Sequence, residues 1–192
     1  MIHKTYIEYR RLFSELDQKI NSVLEVGALP NGHALLNAPE LERLETKVGV
    51  NLFISGKYKD IEVIKADARE LPFPNLSFDL IVCASTLEHI PNFWVACGEM
   101  KRVLNSGGVM IVSVPGFVDS PAGNKFRRIS QKMHLPDLFQ RGTPTMRIHD
   151  APHDYYRFSI SCVKEVVMSG LEVSKTWSIM NPPRIYSIGS KP

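Results

Sequence analysis

Residues 66–90 read ADARELPFPNLSFDLIVCASTLEHI, and the segment FDLIVCA at 78–84 decides the fold. A strand with one face in water alternates apolar and polar residues. This run is apolar almost throughout, which predicts a strand covered on both faces, as in a parallel sheet flanked by helices. Upstream, IEVIKA (61–66), KVGVNL (47–52) and VLEV (23–26) are further strands. Downstream, FWVACGEMKRVL (93–104) has apolar residues at helical spacing, NSGG (105–108) supplies a glycine-rich stop, and VMIVSV (109–114) begins another strand. Strand, helix and strand recur, which predicts a doubly wound α/β sheet with helices on both faces.

The remaining elements follow from the same reasoning. Tyr6, Tyr9, Leu12, Phe13 and Leu16 fall at helical spacing and predict a packing helix over 5–20. Residues 33–44 have helical content interrupted at Pro39. Between Asn51 and Ile61 there is too little chain for a crossover helix, so one turn or a loop is expected. Ser159 caps a helix through Ser169 with Gly170 as its stop, and 171–180 with 184–189 predict a closing antiparallel pair. Residues 116–157, rich in Pro, Gly, His and Arg, break the rhythm and read as an irregular insertion above the sheet.

At 192 residues and 44% hydrophobic, the chain suits a single domain spanning 1–192. A net charge of +3 with no long basic block does not favour nucleic acid as a partner. Cys83, Cys97 and Cys162 are far apart in apolar settings and read as buried thiols, neither a disulfide framework nor a metal site. The first 18 residues are polar and charged, and no apolar run is long enough to span a bilayer, so a cytoplasmic location is expected.

In an open α/β sheet, ligands bind beyond the carboxyl ends of the strands at the switch point. That puts Gly27 to Gly32, Asn51, Asp67 and Ser85 at the candidate site. Against the dinucleotide fingerprint, GALPNG (27–32) keeps the first and last glycines but has Leu29 where backbone must approach a diphosphate. Asn51 replaces the acidic residue that would hold a ribose. NAD is disfavoured, and no G-K-[ST] marks a phosphate loop.

Taken in order, VLEVG, KVGVNL, IKADARELPFPNLSFDLIVCASTLEHI and MKRVLNSGGVMIVSVPG resemble the class I S-adenosylmethionine-dependent methyltransferase family, in its small type 11 branch. The resemblance runs over about 22–115 and again from about 154 onward. It implies a Rossmann-like sheet of about seven strands with the last antiparallel, and S-adenosylmethionine as cofactor. By resemblance, Glu25 and Gly27 lie under the methionine part, with Ala28 and Gly32 in the same loop. Asn51 stands at the ribose, Asp67 accepts from the adenine amino group, Ala68 supplies a backbone contact, and Ser85 borders the methionine end. Leu29 and Asn31 depart from the family's glycine loop.

On the acceptor side, HDAPHDYYRF (149–158) gathers imidazoles, carboxylates, phenols and a guanidinium. His149, Asp154, Tyr155, Tyr156 and Arg157 are candidate substrate residues, and His153 is the candidate base. The competing structural reading is a cap and hinge in which Asp154 pairs with Arg157. His89, ahead of Ile90 and Pro91, reads as a helix-entry residue. The basic stretch KFRRISQK (125–132) reads as a solvated face, or as an attractor of an anionic acceptor. The expected activity is methyl transfer to a small polar acceptor, a glycan or activated sugar precursor. The alternative is a methyltransferase-fold binding module without catalysis, motivated by Leu29, Asn31 and Asn51.

Overall fold

The computed structural model describes residues 3–17, 19–117, 132–133, 153–180 and 183–192. Among the described residues, eight strands form one sheet: β1 (Ser22–Val26), β2 (Thr46–Asn51), β3 (Gly56–Tyr58), β4 (Ile61–Lys65), β5 (Phe78–Ala84), β6 (Leu104–Pro115), β7 (Glu172–Ile179) and β8 (Arg184–Ser190). Their order is β3-β4-β2-β1-β5-β6-β8-β7. The central strands β4, β2, β1, β5 and β6 run parallel. β8 runs against β6, β7 runs against β8, and β3 runs against β4. The last strand is therefore antiparallel, as the sequence predicts.

Both faces of the sheet are covered. Along β5, Leu80 and Val82 join the cluster under helix α1 (His3–Ser14), while Ile81 and Cys83 join the opposite cluster. That second cluster takes Phe93, Ala96, Cys97, Met100 and Val103 from helix α2 (Phe93–Val103), and Val163, Val167 and Met168 from the segment after Ser159. Period-two alternation sends successive side chains to opposite faces, so the apolar run in β5 serves two cores at once. Cys83 and Cys97 are buried and Cys162 half-buried, all three free thiols. Burial pushes the Cys97 thiol up to about 12, so it packs as an apolar group.

Four elements differ from expectation. Between Asn51 and Ile61 the chain forms β3, an eighth, edge strand: a tight turn with Lys59 at φ 55 returns Tyr58 onto Ile61. The region 33–44 forms two single 3₁₀ turns, Leu35–Asn37 and Pro39–Leu41, because Pro39 cannot continue the first. Strand β6 begins at Leu104, so NSGG lies inside the strand, with an irregularity in its register against Phe78 and Leu80. Helix α3 (Ile160–Cys162), capped by the Ser159 hydroxyl, widens at once into a π-turn over Val163–Val167. Most of the insertion at 116–157, including the basic stretch short of Lys132, lies outside the described residues.

Helix α1 is tied to the middle of the sheet by one buried hydrogen bond, in which the Tyr9 hydroxyl donates to the Cys83 carbonyl at 3.0 Å. The Tyr9 ring also packs on Phe13 and Tyr186. Tyr9→Phe keeps the ring and leaves a buried carbonyl short of a partner, an expected loss of about 1–2 kcal/mol. Thermal unfolding should then fall by roughly 3–6 °C for a chain of this size. An unchanged midpoint would mean that the bond contributes nothing net.

Candidate functional site

The site is built at the carboxyl ends of β1, β2, β4 and β5. Gly27 leaves β1 at φ 89, a conformation that suits glycine. Its amide and that of Ala28 both donate to the Val50 carbonyl, at 2.9 and 3.1 Å, which sews the loop to the end of β2. Ala28 is fully buried and abuts Gly49, where an added Cβ would lie 2.4 Å from the Ala28 methyl. Leu29 is 38% exposed. Asn31 accepts from the His33 amide through its side chain, and its carbonyl accepts from Asn37. Gly32 sits beside Tyr58 on β3, three strands from β1 in the sheet order.

Glu25 is 4% exposed and faces the α1 side of β1. Its carboxylate accepts from the Leu36 amide at 3.1 Å, fastening the first 3₁₀ turn to the strand. Burial raises this carboxyl to about 7, and the amides of Leu36 and Leu35 only partly oppose the shift. At the end of β2, the Asn51 side chain donates to the Ala28 carbonyl and accepts from the Phe53 amide. Asn51 thereby holds the two adjoining loops, and an amide oxygen keeps a second lone pair.

Asp67 follows β4, whose end is joined to β2 by the Ala66 amide on the Asn51 carbonyl. Its carboxylate takes the Arg69 amide and a two-pronged guanidinium contact with Arg69, which holds it below the usual carboxylate range. Both side chains remain partly exposed. Ala68 beside it is 8% exposed and packs into the core. Ser85 leaves β5 at φ 52, its amide on the Ser113 carbonyl. Thr86 was not among the sequence candidates. Its Oγ1 lies 3.1 Å from the carbonyls of Val26 and Ala84 and occupies the place a Gly27 Cβ would take. The sequence signal for it was a glycine and a small hydroxyl residue after two neighbouring strands.

Residues 153–157 dock on the turn that follows β5. The Tyr155 amide donates to the Glu88 carbonyl at 2.8 Å, and the Tyr156 hydroxyl donates to Pro91. His89 Nδ1 lies 3.2 Å from the His153 carbonyl. His153 is exposed at φ 68, stacks on Tyr155, and has Nδ1 3.2 Å from that phenol. Asp154 and Arg157 close a fork at 2.5 and 2.6 Å, with the Asp154 side chain 2% exposed, so the cap-and-hinge pairing is present. His149 lies outside the described residues.

The family model described as a methyltransferase domain, of type 11, matches residues 36–112. Over these residues, about two fifths of the chain, the protein is similar to the methyltransferase domain family. The methyltransferase-family match holds the ends of β2, β4 and β5 together with the turn carrying Glu88 and His89. Among curated relatives, 27-O-demethylrifamycin SV methyltransferase of Amycolatopsis mediterranei is 41% identical over 58 residues, covering 30% of this chain and 21% of that one. Demethylmenaquinone methyltransferase of Listeria monocytogenes is 33% identical over 92 residues, 48% of this chain and 37% of that one. The matches thus span well under half the length of these relatives. Among solved structures, the putative methyltransferase in a complex with the Haloferax volcanii Trm112 activator superposes with a TM-score of 0.65 at 14% identity. That superposition covers 99% of this chain and 90% of the other. At that identity the likeness concerns the class I methyltransferase fold alone.

Proposed function

We propose that this chain is an S-adenosylmethionine-dependent methyltransferase acting on a small polar acceptor, a glycan or activated sugar precursor among the candidates. One observation carries the reading: Gly27, Asn51, Asp67 and Ser85 stand together at the carboxyl ends of adjacent parallel strands. The residues present fit the cofactor. The Gly27 turn has no room for a side chain, Asn51 keeps an acceptor lone pair, and Asp67 is a partly exposed carboxylate. Asp67 would take the adenine amino group beside Ala68, Asn51 a ribose hydroxyl, and the Gly27–Ala28 turn and Ser85 the methionine end. Glu25 supports that turn from below by holding Leu36. Gly32, beside the edge strand, shapes the loop's far end.

When bound, S-adenosylmethionine supplies an electrophilic methyl group on a sulfonium sulfur. The chain's own task is to hold the acceptor in line and to keep water out. Tyr155, Tyr156 and the Asp154–Arg157 fork form the acceptor wall, pinned to Glu88 and Pro91. For a hydroxyl acceptor, His153 takes the proton, its ring steadied by Tyr155.

Titration with S-adenosylhomocysteine by calorimetry tests the proposal. Micromolar binding is expected, and Asp67→Ala should weaken it about tenfold or more while leaving the thermal midpoint close to the parent's, since the Asp67–Arg69 pair is exposed. Equal affinity in both proteins would remove Asp67 from the adenine site. The second reading, a binding module without catalysis, draws on the self-pairing of Asn51 and of Asp67 with Arg69. A folded parent that binds no cofactor would leave that reading standing.

A further inference from the structure

Seven buried side-chain nitrogen and oxygen atoms among the described residues lack a hydrogen-bond partner, and they belong to five residues: Thr5, Glu88, Ser113, Arg184 and Tyr186. These residues adjoin one another. Ser113 faces Tyr186 across the β6–β8 ladder, and Arg184, the first residue of β8, faces Pro115 at the carboxyl end of β6. Thr5 of α1 lies beside the Tyr186 phenol without closing a well-formed bond. Glu88, in the turn after β5, is within electrostatic reach of Arg184.

Arg184 is 3% exposed with Nε and one terminal nitrogen lacking a hydrogen-bond partner, and Glu88 is fully buried with neither oxygen hydrogen-bonded. An unmatched buried charge is costly, and burial accordingly raises the Glu88 carboxyl above its ordinary range. Opposite charges in one place ordinarily close on each other, and these two do not. Among the described residues, the other charged or titratable groups facing Glu88 are His89, with Nε2 3.9 Å away, the buried Cys83 thiol, and Asp154 and Arg157, which are engaged with one another. The pair presents an unsatisfied fork of donors and an unsatisfied pair of acceptors, which suits a ligand that carries both complements. It lies beyond β5, β6 and β8, one side of the cofactor edge formed by β1, β2 and β4.

We propose that Arg184 and Glu88 form the acceptor subsite, Arg184 gripping an oxyanion of the acceptor, carboxylate or phosphate, and Glu88 receiving a hydroxyl or amino group next to it. The hydroxyls of Ser113, Tyr186 and Thr5 complete the anion's surroundings. The subsite rests on the methyltransferase reading for its role, and it narrows the acceptor class to small anionic molecules with an adjacent hydrogen-bond donor. Arginine suits this task because its planar fork matches both oxyanions.

The test is thermal unfolding of the parent in sodium phosphate, acetate or glycolate against sodium chloride of equal ionic strength. A ligand that binds only the folded state raises the midpoint. Phosphate or glycolate should raise it for the parent, and whichever oxyanion acts more strongly identifies the head group. Arg184→Met should abolish the response to every oxyanion. Glu88→Gln should keep the response to phosphate and acetate and shrink the advantage of glycolate over acetate. Should the Met variant not fold, Arg184→Lys keeps the charge without the fork and should show a reduced response. No oxyanion response in the parent beyond chloride, or equal responses in the parent and the Arg184 variants, would overturn the proposal. Binding of S-adenosylhomocysteine to the parent, measured alongside, separates the two readings. Cofactor binding without an oxyanion response removes the subsite alone, and an oxyanion response without cofactor binding removes the methyltransferase reading alone.

Discussion

Gly27→Ala should lower stability by about 3 kcal/mol, among the larger effects of a single methyl group anywhere in this chain. Two costs combine. A left-handed backbone at φ 89 is strained for any residue with a Cβ, at about 1–2 kcal/mol. The new Cβ would also lie 2.0 Å from Thr86 Oγ1, so one of the two loops must move. Thr86 is held between the carbonyls of Val26 and Ala84 and does not yield freely. Adding Thr86→Ala to Gly27→Ala should recover the steric share and leave the backbone share, which a double-mutant cycle in urea measures directly. Strict additivity of the two substitutions would show that the loops do not meet as described. Affinity for S-adenosylhomocysteine should fall with the same substitution, because the displaced turn is the one proposed to carry the methionine end.

The second large effect depends on pH. Glu25 has its folded-state carboxyl raised from the ordinary 4.5 to about 7 by burial. The neutral form is favoured in the fold, so the stability attached to this group is fully present below about pH 4.5. It is lost as pH rises through 7, to a limit on the order of 3 kcal/mol. Glu25→Gln keeps an oxygen for the Leu36 amide and cannot ionise. The variant should therefore gain on the parent between pH 5 and 8.5, by about 1–3 kcal/mol in urea unfolding. A difference that does not change with pH would mean that Glu25 titrates normally. The paired carboxylates Glu40, Asp60, Asp67 and Glu99 are held low and favour the fold in the opposite direction, so only the difference between variant and parent isolates Glu25.

The sheet was legible in the sequence because parallel strands buried on both faces have to be nearly all apolar, and FDLIVCA and VMIVSV are. The closing antiparallel pair was legible from the Asn181-Pro182-Pro183 break between two strand patterns. Edge strand β3 was not, since its three residues, Gly56, Lys57 and Tyr58, are largely exposed and have no apolar pattern to read. The start of β6 was hidden by NSGG: glycines that usually end an element here bulge between the Phe78–Leu104 and Leu80–Val109 pairs and are held by the Lys191 backbone, which bonds Gly107 and Gly108. At the site, Asp67 and Asn51 stand at the expected strand ends, and the 153–157 cluster reaches the turn after β5. The ties among them, Thr86 in the Gly27 turn and Glu88 opposite Arg184, were not visible. Those relations join residues 59 and 96 positions apart and belong to tertiary structure. A charge opening the otherwise apolar strand RIYSIG was the one local hint of Arg184.

The way helix α1 is held also bears on how the chain comes off the ribosome. Its Glu8 carboxylate accepts from the Trp177 indole, and Tyr9 rests on Tyr186, so the first helix is completed by two of the last strands. At bacterial-to-eukaryotic elongation speeds, roughly ten to thirty seconds separate synthesis of these partners. During that interval Tyr9, Leu12 and Phe13 have no β8 to cover them. The nascent chain thus carries an uncovered apolar stripe until β8 has been made, a surface of the kind that a holding chaperone binds.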